Sequence, residues 1–167
     1  MNNQKHQVHG VFLIKFGGKA VITKEIFMPS VLIIEDREKM RKSLVNAFKR
    51  RHYEACKGVS WENAVEFLYK EVYDVVVVDL EVKNQAGYDM LKTIRRSNAN
   101  AEIIAVFNPK EYDKDSVMSY GVYDYVFRPF LPDDVVRIGV KALEKKRLSD
   151  KVRNLEQIRD MDKFALS

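Results

Sequence analysis

The run Val75-Val76-Val77-Val78, followed directly by Asp79, constrains the fold of this chain more than any other segment. Four β-branched residues in succession predict a strand, and the absence of polar alternation is typical of a strand buried on both faces of a parallel sheet. A second run, Val31–Ile34, is likewise followed by acids, Glu35 and Asp36. Because open α/β sheets bind ligands at the carboxyl ends of their strands, these acids predict a functional site at one edge of the sheet.

Apolar runs alternate with amphipathic segments from Pro29 to about Ala142. This alternation predicts five β–α units and, with right-handed crossovers, an α/β fold with a doubly wound, five-stranded parallel sheet. The predicted strands are 31–34, 54–57, 75–79, 103–107 and 124–127, and the predicted helices between them are 39–51, 60–70, 88–96 and 112–120. The domain organisation that follows is an extension at 1–28, one domain at 29–143 and a segment at 144–167.

The two ends of the chain carry separate predictions. Residues 11–16 and 20–23 are rich in β formers and flank Gly17-Gly18, which favours a β-hairpin, although a poorly ordered extension is the alternative. Near the other end, no Gly or Pro follows Gly139, so one helix is predicted over 133–163. Its second half repeats apolar residues among charges, which favours a dimerising or partner-binding helix over a fraying tail.

Composition excludes several classes of protein. The chain has 167 residues, a formal net charge of +5 and a single cysteine, so no internal disulfide is predicted and a cytoplasmic protein is expected. No run approaches the roughly 18 apolar residues of a membrane span. Basic residues are interleaved with acids, so we expect no direct nucleic-acid binding, and no GxGxxG motif indicates a dinucleotide site.

The acids Glu35, Asp36 and Asp79 predict a particular chemistry. Like carboxylates at about 4 Å repel by about 4 kcal/mol at an effective dielectric of about 20, so a proton, a cationic side chain or a metal must neutralise them. Oxygen-only ligands suit Mg²⁺, and aspartate is a competent nucleophile for phosphoryl transfer when charge is screened. The plainer alternatives are a strand-end cap for Asp79 and helix N-terminal acids for Glu35 and Asp36.

Three motifs then identify a family. They are Glu35-Asp36 after the first strand, Asp79 with Gly87 eight residues later, and the ending Asp124-Tyr125-Val126-Phe127-Arg128-Pro129-Phe130. In this order and spacing, the segment 31–143 resembles the receiver domain of two-component response regulators, which implies a flavodoxin-like fold. The resemblance also implies a non-enzymatic signalling protein.

The resemblance implies a role for each acid. Asp79 would accept a phosphoryl group from a histidine kinase or a phosphotransfer protein. Glu35, Asp36 and Asp79 would hold Mg²⁺, together with the backbone carbonyl of Glu81. Phosphorylation would then act through the face formed by the fourth helix, fifth strand and fifth helix, or through the C-terminal helix, and control homodimerisation or partner binding.

Three of the candidate site residues depart from the family pattern. Arg128 stands where the family has a lysine that pairs with the phosphoryl oxygens, and a planar guanidinium is not equivalent to a compact ammonium. Tyr125 occupies the aromatic switch position, but Phe107 replaces the Thr or Ser whose hydroxyl bonds the phosphoryl group, and Asn108 is the alternative donor. Glu35 stands where aspartate is commoner.

Three functions remain open at this point. The first is a phosphorylatable receiver. The second is a pseudo-receiver that acts as a scaffold or dimerisation module, with Arg128 as a permanent ion-pair partner of Asp79. The third is a hydrolytic or small-molecule-binding α/β domain, for which Glu81 lies two residues after Asp79 but the remaining features are missing.

Overall fold

The computed structural model describes residues 13–16, 19–22, 28–81 and 86–166, the first two ranges by their backbone alone. The elements are β1 (Leu13–Phe16), β2 (Lys19–Ile22), β3 (Val31–Ile34), α1 (Glu38–Lys49), β4 (Cys56–Val59), α2 (Trp61–Lys70), β5 (Val75–Asp79), α3 (Gly87–Ser97), β6 (Glu102–Phe107), α4 (Lys114–Met118), β7 (Asp124–Phe127) and α5 (Pro132–Ala165). Within the described residues, no helix has both the length and the apolar character needed to cross a membrane.

Five of the strands form one parallel sheet in the order β4-β3-β5-β6-β7. Counted along these five strands the order is 2-1-3-4-5, which is the flavodoxin-like arrangement of a doubly wound sheet. The central strand β5 pairs with β3 on one side and β6 on the other, and all five of its residues are buried. The predicted parallel α/β fold is therefore confirmed.

The helices cover both faces of the sheet. Val75 and Val77 face one apolar core with α1 and α5, where Phe48 and Val136 are buried. Val76 and Val78 alternate to the opposite core, formed with α2, α3 and α4. This division explains the unbroken valine run, because a strand covered by helices on both faces has no side exposed to water.

Within the five-stranded sheet and its helices, two predicted elements begin two residues too early. The fourth helix was predicted from 112 but begins at Lys114, because the Asp113 side chain accepts a hydrogen bond from the Ser116 backbone N–H at 2.8 Å and caps the helix there. Tyr112 instead packs in the core. Strand β4 lies about two residues later than predicted, at Cys56–Val59, where it pairs with β3.

The remaining elements are the strands β1 and β2 before the five-stranded sheet and the long helix α5 after it. Strands β1 and β2 pair antiparallel in a two-stranded sheet, whereas Gly17-Gly18 between them lies outside the described residues. Helix α5 is continuous over 34 residues, a length of about 50 Å. Its first half is buried through Val136 and Leu143, and Gly139 lies so close to α1 that an added Cβ would meet the Phe48 ring at 2.6 Å. The predicted boundary at 143 thus falls inside a helix.

A buried amide provides a test of the α3–β6 connection. Asn98 accepts a hydrogen bond from the Tyr73 N–H at 2.7 Å and donates one to the Leu68 carbonyl at 2.9 Å. Asn98→Ala leaves both backbone groups without this partner, so we expect the free energy of unfolding to fall by about 2 kcal/mol in urea titrations. The exposed Asn100 is the matched control, and Asn100→Ala should cost less than about 0.5 kcal/mol. Equal costs for the two variants would contradict this role.

Candidate functional site

The site lies at the carboxyl edge of the sheet, where β3 and β5 are neighbours and the chain order reverses. Asp79 ends β5 and Glu35 directly follows β3, and both side chains are almost fully buried, with 6% and 2% of their surface exposed. Parallel pairing in register carries the two strands to the same edge, since Ile34 is the partner of Val78. Two carboxylates are therefore buried side by side.

Arg128 is the first of two cations that compensate these carboxylates. It follows β7, and its Nη2 contacts Asp79 Oδ2 directly, while its Nε donates a hydrogen bond to Asp79 Oδ1 at 3.3 Å. The same guanidinium lies 3.6 Å from Glu35 Oε2 and 2.9 Å from Glu81 Oε2. One mostly buried side chain thus pairs with three acids. The Arg128–Pro129 peptide bond that follows is cis.

Arg37 is the second cation, and sequence reasoning did not identify it. Its Nε and Nη2 donate to the two carboxylate oxygens of Glu35, each at 3.1 Å, and Nη2 also reaches Asp79 Oδ2 at 3.4 Å. The bond to Glu35 is the two-pronged geometry that suits a guanidinium and a carboxylate. The Arg37 side chain is 49% exposed, so the ion pair between Arg37 and Glu35 closes the site from the solvent side. We call Arg37 and Arg128 the arginine pair.

The arginine pair stays charged at neutral pH. Hydrogen bonding to Glu35 raises the pKa of the Arg37 guanidinium. Burial, and then the neighbouring charge of Arg37, lower the pKa of the Arg128 guanidinium, against the attraction of Glu35. Because a guanidinium group is effectively always protonated in proteins, both side chains carry a positive charge at neutral pH. The two cations therefore balance the charges of Glu35 and Asp79.

Trp61, the first residue of helix α2, donates hydrogen bonds to Asp36 and to the backbone of Asp79. The backbone N–H of Trp61 donates to Asp36 Oδ1 at 2.7 Å, and its indole N–H donates to the backbone carbonyl of Asp79 at 2.9 Å. Asp36 therefore caps the N-terminus of α2, and it is exposed. Trp61 is half-buried and joins α2 to the end of β5, although the sequence places it only at a helix start.

These contacts decide whether the carboxylates are available to bind Mg²⁺. The carboxylates of Glu35 and Asp79 are each paired with guanidinium groups, and the Asp36 carboxylate is bonded to α2. In the part of the chain that the structure describes, no group of three or more His, Cys, Asp or Glu residues is arranged to hold a metal ion. The donor set does not fit Mg²⁺ in this arrangement, and the site of Glu35, Asp36, Asp79 and the Glu81 carbonyl stays a prediction.

The predicted switch positions lie in an aromatic cluster beside the site. Phe107 ends β6 and is fully buried, with its ring centroid 5.7 Å from that of Tyr125 and 5.4 Å from that of Phe127. Tyr112 and Tyr88 extend the cluster. Phe107 offers an apolar ring, consistent with its departure from the Thr or Ser of the family, and Tyr125 is half-buried against it.

Asn108 lies on the solvent side of this cluster. Its Oδ1 accepts a hydrogen bond from the Lys110 backbone N–H at 3.0 Å. The residue also lines a cavity of about 310 Å³, together with Arg37, Glu81, Arg128 and Phe130. The cavity lies at the carboxyl edge of the sheet, and both members of the arginine pair and the acid Glu81 line it.

Comparison with known proteins agrees with the fold and with the family resemblance. A model of the response regulator receiver domain matches residues 31–138. Response regulator ArlR of Staphylococcus saprophyticus is 24% identical over 126 residues, which is 74% of this chain and 57% of that protein. ArlR of Staphylococcus aureus is 24% identical over 103 residues, 62% of this chain and 47% of that protein. The chain thus spans about half the length of these relatives.

Solved structures show the same fold. The chemotaxis response regulator CheY4 of Vibrio cholerae has a TM-score of 0.60 at 18% identity and covers 70% of this chain and 99% of its own. NtrX from Brucella abortus has a TM-score of 0.67 at 17% identity, with 77% of this chain and 30% of its own covered. A response regulator from Burkholderia pseudomallei, with a phosphorylated aspartic acid, calcium ion and citrate, has a TM-score of 0.58 at 18% identity, over 75% of each chain.

This chain belongs to the family of response regulator receiver domains, since the family model covers well over half of its length. It is therefore a receiver domain of a two-component system. Receiver domains are in general signalling modules that bind Mg²⁺, and response regulators interact with histidine kinases.

The ion pairs of Arg128 yield a stability prediction. Arg128→Met leaves the buried carboxylates of Asp79 and Glu35 without their inner cation, so we expect the free energy of unfolding at pH 7 to fall by about 3 kcal/mol. Addition of Asp79→Asn should recover part of that loss. Lys70→Met, which breaks an exposed pair with Glu66, is the control and should cost less than about 1 kcal/mol. An Arg128→Met cost as small as that of the control would contradict the compensating role.

Proposed function

We propose that this receiver accepts a phosphoryl group on Asp79 from a histidine kinase or a phosphotransfer protein and passes the signal on by protein–protein contact. The observation that carries the proposal is the position of Asp79: a buried carboxylate at the end of the central strand, paired with Arg128 and flanked by a cavity that two arginines line. Family membership supports the same chemistry.

In the proposed reaction a carboxylate oxygen of Asp79 attacks the phosphorus of a phosphohistidine. The new O–P bond forms as the N–P bond breaks, and the imidazole nitrogen keeps the electron pair and takes up a proton. Arg128 and Arg37 are the cations within reach of the incoming phosphoryl oxygens, because both already contact Asp79. Guanidinium groups suit this task since they bind phosphate through two parallel hydrogen bonds. The transfer makes the chain a substrate of its kinase and not itself an enzyme.

Mg²⁺ is part of the proposal as the general companion of receiver domains. Glu35, Asp36, Asp79 and the Glu81 carbonyl are the groups that would hold it in this chain. To do so, the two carboxylates paired with guanidinium groups and the one that caps α2 would have to change partners. The expected affinity for Mg²⁺ is correspondingly low.

Labelling with a small phosphodonor tests the proposal. We expect acetyl phosphate to add one phosphoryl group, seen by intact mass, and expect Asp79→Asn to abolish the addition. Asp89→Asn, at an exposed aspartate on α3, is the matched control and should label like the unaltered chain. Absence of labelling at every Mg²⁺ concentration, in a chain whose circular dichroism shows it folded, would contradict phosphorylation.

The second candidate is a pseudo-receiver that acts without phosphorylation as a scaffold or dimerisation module. Two observations favour it: the arginine pair already neutralises Asp79, and Phe107 has no hydroxyl to bond a phosphoryl group. The two candidates differ in one measurable consequence. Phosphorylation that leaves oligomeric state and partner affinity unchanged would favour the second.

The output is proposed to involve self-association in the cytoplasm. The distal half of α5 presents Leu148, Val152, Leu155, Ile158 and Met161, each about half or more exposed. Such a row at helical spacing is stabilised when a second helix covers it. The face formed by α4, β7 and the first part of α5 is the other surface through which two copies would associate, and the exposed Phe127 lies on it.

Charge substitution on α5 tests the choice of surface. Leu155→Lys places a charge in the middle of the apolar row, so we expect the dimer dissociation constant to rise by about tenfold or more in sedimentation equilibrium. Asp160→Asn raises the net charge by the same amount about 140° around the helix from Leu155, away from the row, and should leave the dissociation constant unchanged. A chain that stays monomeric at high concentration, with or without phosphoryl donor, would contradict self-association.

A further inference from the structure

The contacts of Arg37 have a consequence for cation binding at the proposed site. Arg37 and Arg128 together bring two positive charges to Glu35 and Asp79, the same charge that one divalent cation would supply. Arg128 is mostly buried, with 12% of its side chain exposed, whereas Arg37 approaches from solvent and is 49% exposed. Of the two, Arg37 is the one that can leave without opening the core.

The position of Arg37 in α1 is unfavourable by local rules. It is the N-cap of α1, with extended backbone, and its side chain makes no capping hydrogen bond to the helix. Ser, Thr, Asp and Asn are the preferred N-cap residues, and a cation at a helix N-terminus opposes the helix dipole. A residue that breaks these rules is compensated elsewhere. Here the compensation is the pair of hydrogen bonds that the Arg37 guanidinium donates to Glu35.

We infer that Arg37 occupies in the resting protein the place of a divalent cation, so that cation binding at Glu35 and Asp79 competes with its guanidinium. The inference rests on the proposed function in its choice of site. Arg37 thereby sets the concentration of divalent cation that this receiver needs before Glu35 and Asp79 bind the ion in place of the guanidinium. A guanidinium tethered to the chain is always present, whereas a cation must be drawn from solution and dehydrated.

The single tryptophan of the chain gives a direct readout of this competition. The Trp61 indole donates to the Asp79 carbonyl at 2.9 Å, so a paramagnetic ion bound at the acids lies close enough to quench its fluorescence. Mn²⁺ titration followed by Trp61 fluorescence, with free Mn²⁺ measured in parallel by electron paramagnetic resonance, gives the dissociation constant without any phosphotransfer. Displacement of the bound Mn²⁺ by Mg²⁺ then gives the Mg²⁺ affinity.

Substitution of Arg37 is the test. Arg37→Ser removes the guanidinium and supplies a preferred N-cap residue, so the fold is retained; we expect Mn²⁺ and Mg²⁺ to bind about tenfold more tightly or better. Arg37→Lys keeps the positive charge but not the planar guanidinium, so its dissociation constant for the cation should fall between those of the unaltered chain and of Arg37→Ser. Adding Asp79→Asn to Arg37→Ser should weaken binding again, which locates the ion at the acids.

Lys39→Gln is the matched control, because it removes one positive charge from the first turns of the same helix at an exposed position. Its dissociation constant should stay within about twofold of that of the unaltered chain. The inference is overturned if Arg37→Ser binds no more tightly than the unaltered chain by the resonance measurement, or if Lys39→Gln tightens binding as much. Tighter binding by Arg37→Ser in a chain that acetyl phosphate fails to label would uphold the inference and count against the proposed phosphorylation alone.

Discussion

Burial of two carboxylates at adjacent strand ends is the constraint on which the rest of this site depends. Glu35 and Asp79 are carried to one edge by the parallel pairing of β3 with β5 and are almost removed from water. Charges in such a place must be paired, and this chain pairs them with guanidinium groups from two different elements. The loop before α1 and the loop after β7 are tied to the central strand by these ion pairs.

The aromatic cluster limits how Asp79 can influence the neighbouring strands β6 and β7. Phe107, Tyr125 and Phe127 pack ring against ring between the end of β6 and β7. A fully buried phenyl ring cannot donate a hydrogen bond to an anion, so any influence of Asp79 on Tyr125 has to pass through packing or through Arg128, which adjoins Phe127 in the chain. Coupling by packing depends on shape, and close-packed interiors resist small displacements.

Most of the fold could be predicted from local pattern. The apolar runs that become β3, β5 and β6 are buried strands, the run that becomes β7 is a half-buried strand, and the carboxyl-edge position of Asp79 followed from its place after Val78. The predicted start of α4 is wrong, because Asp113 caps the helix after Tyr112 has turned into the core. Local pattern could not predict that Arg37 and Trp61 reach Asp79, because Asp79 is 42 and 18 residues away from them in the chain.

The sequence by itself determined the order of strands and helices, the burial of β5 and the identity of the acids at its end, because hydrophobic period and β propensity act over a few residues. Tertiary structure decided how those acids are neutralised. Which cation reaches a buried carboxylate depends on the path of loops that only the packed sheet brings together, and the Coulomb energy of a pair depends on distance in space. The pairing of Asp79 with Arg128 and Arg37, and of Asp36 with α2, belongs to that second category.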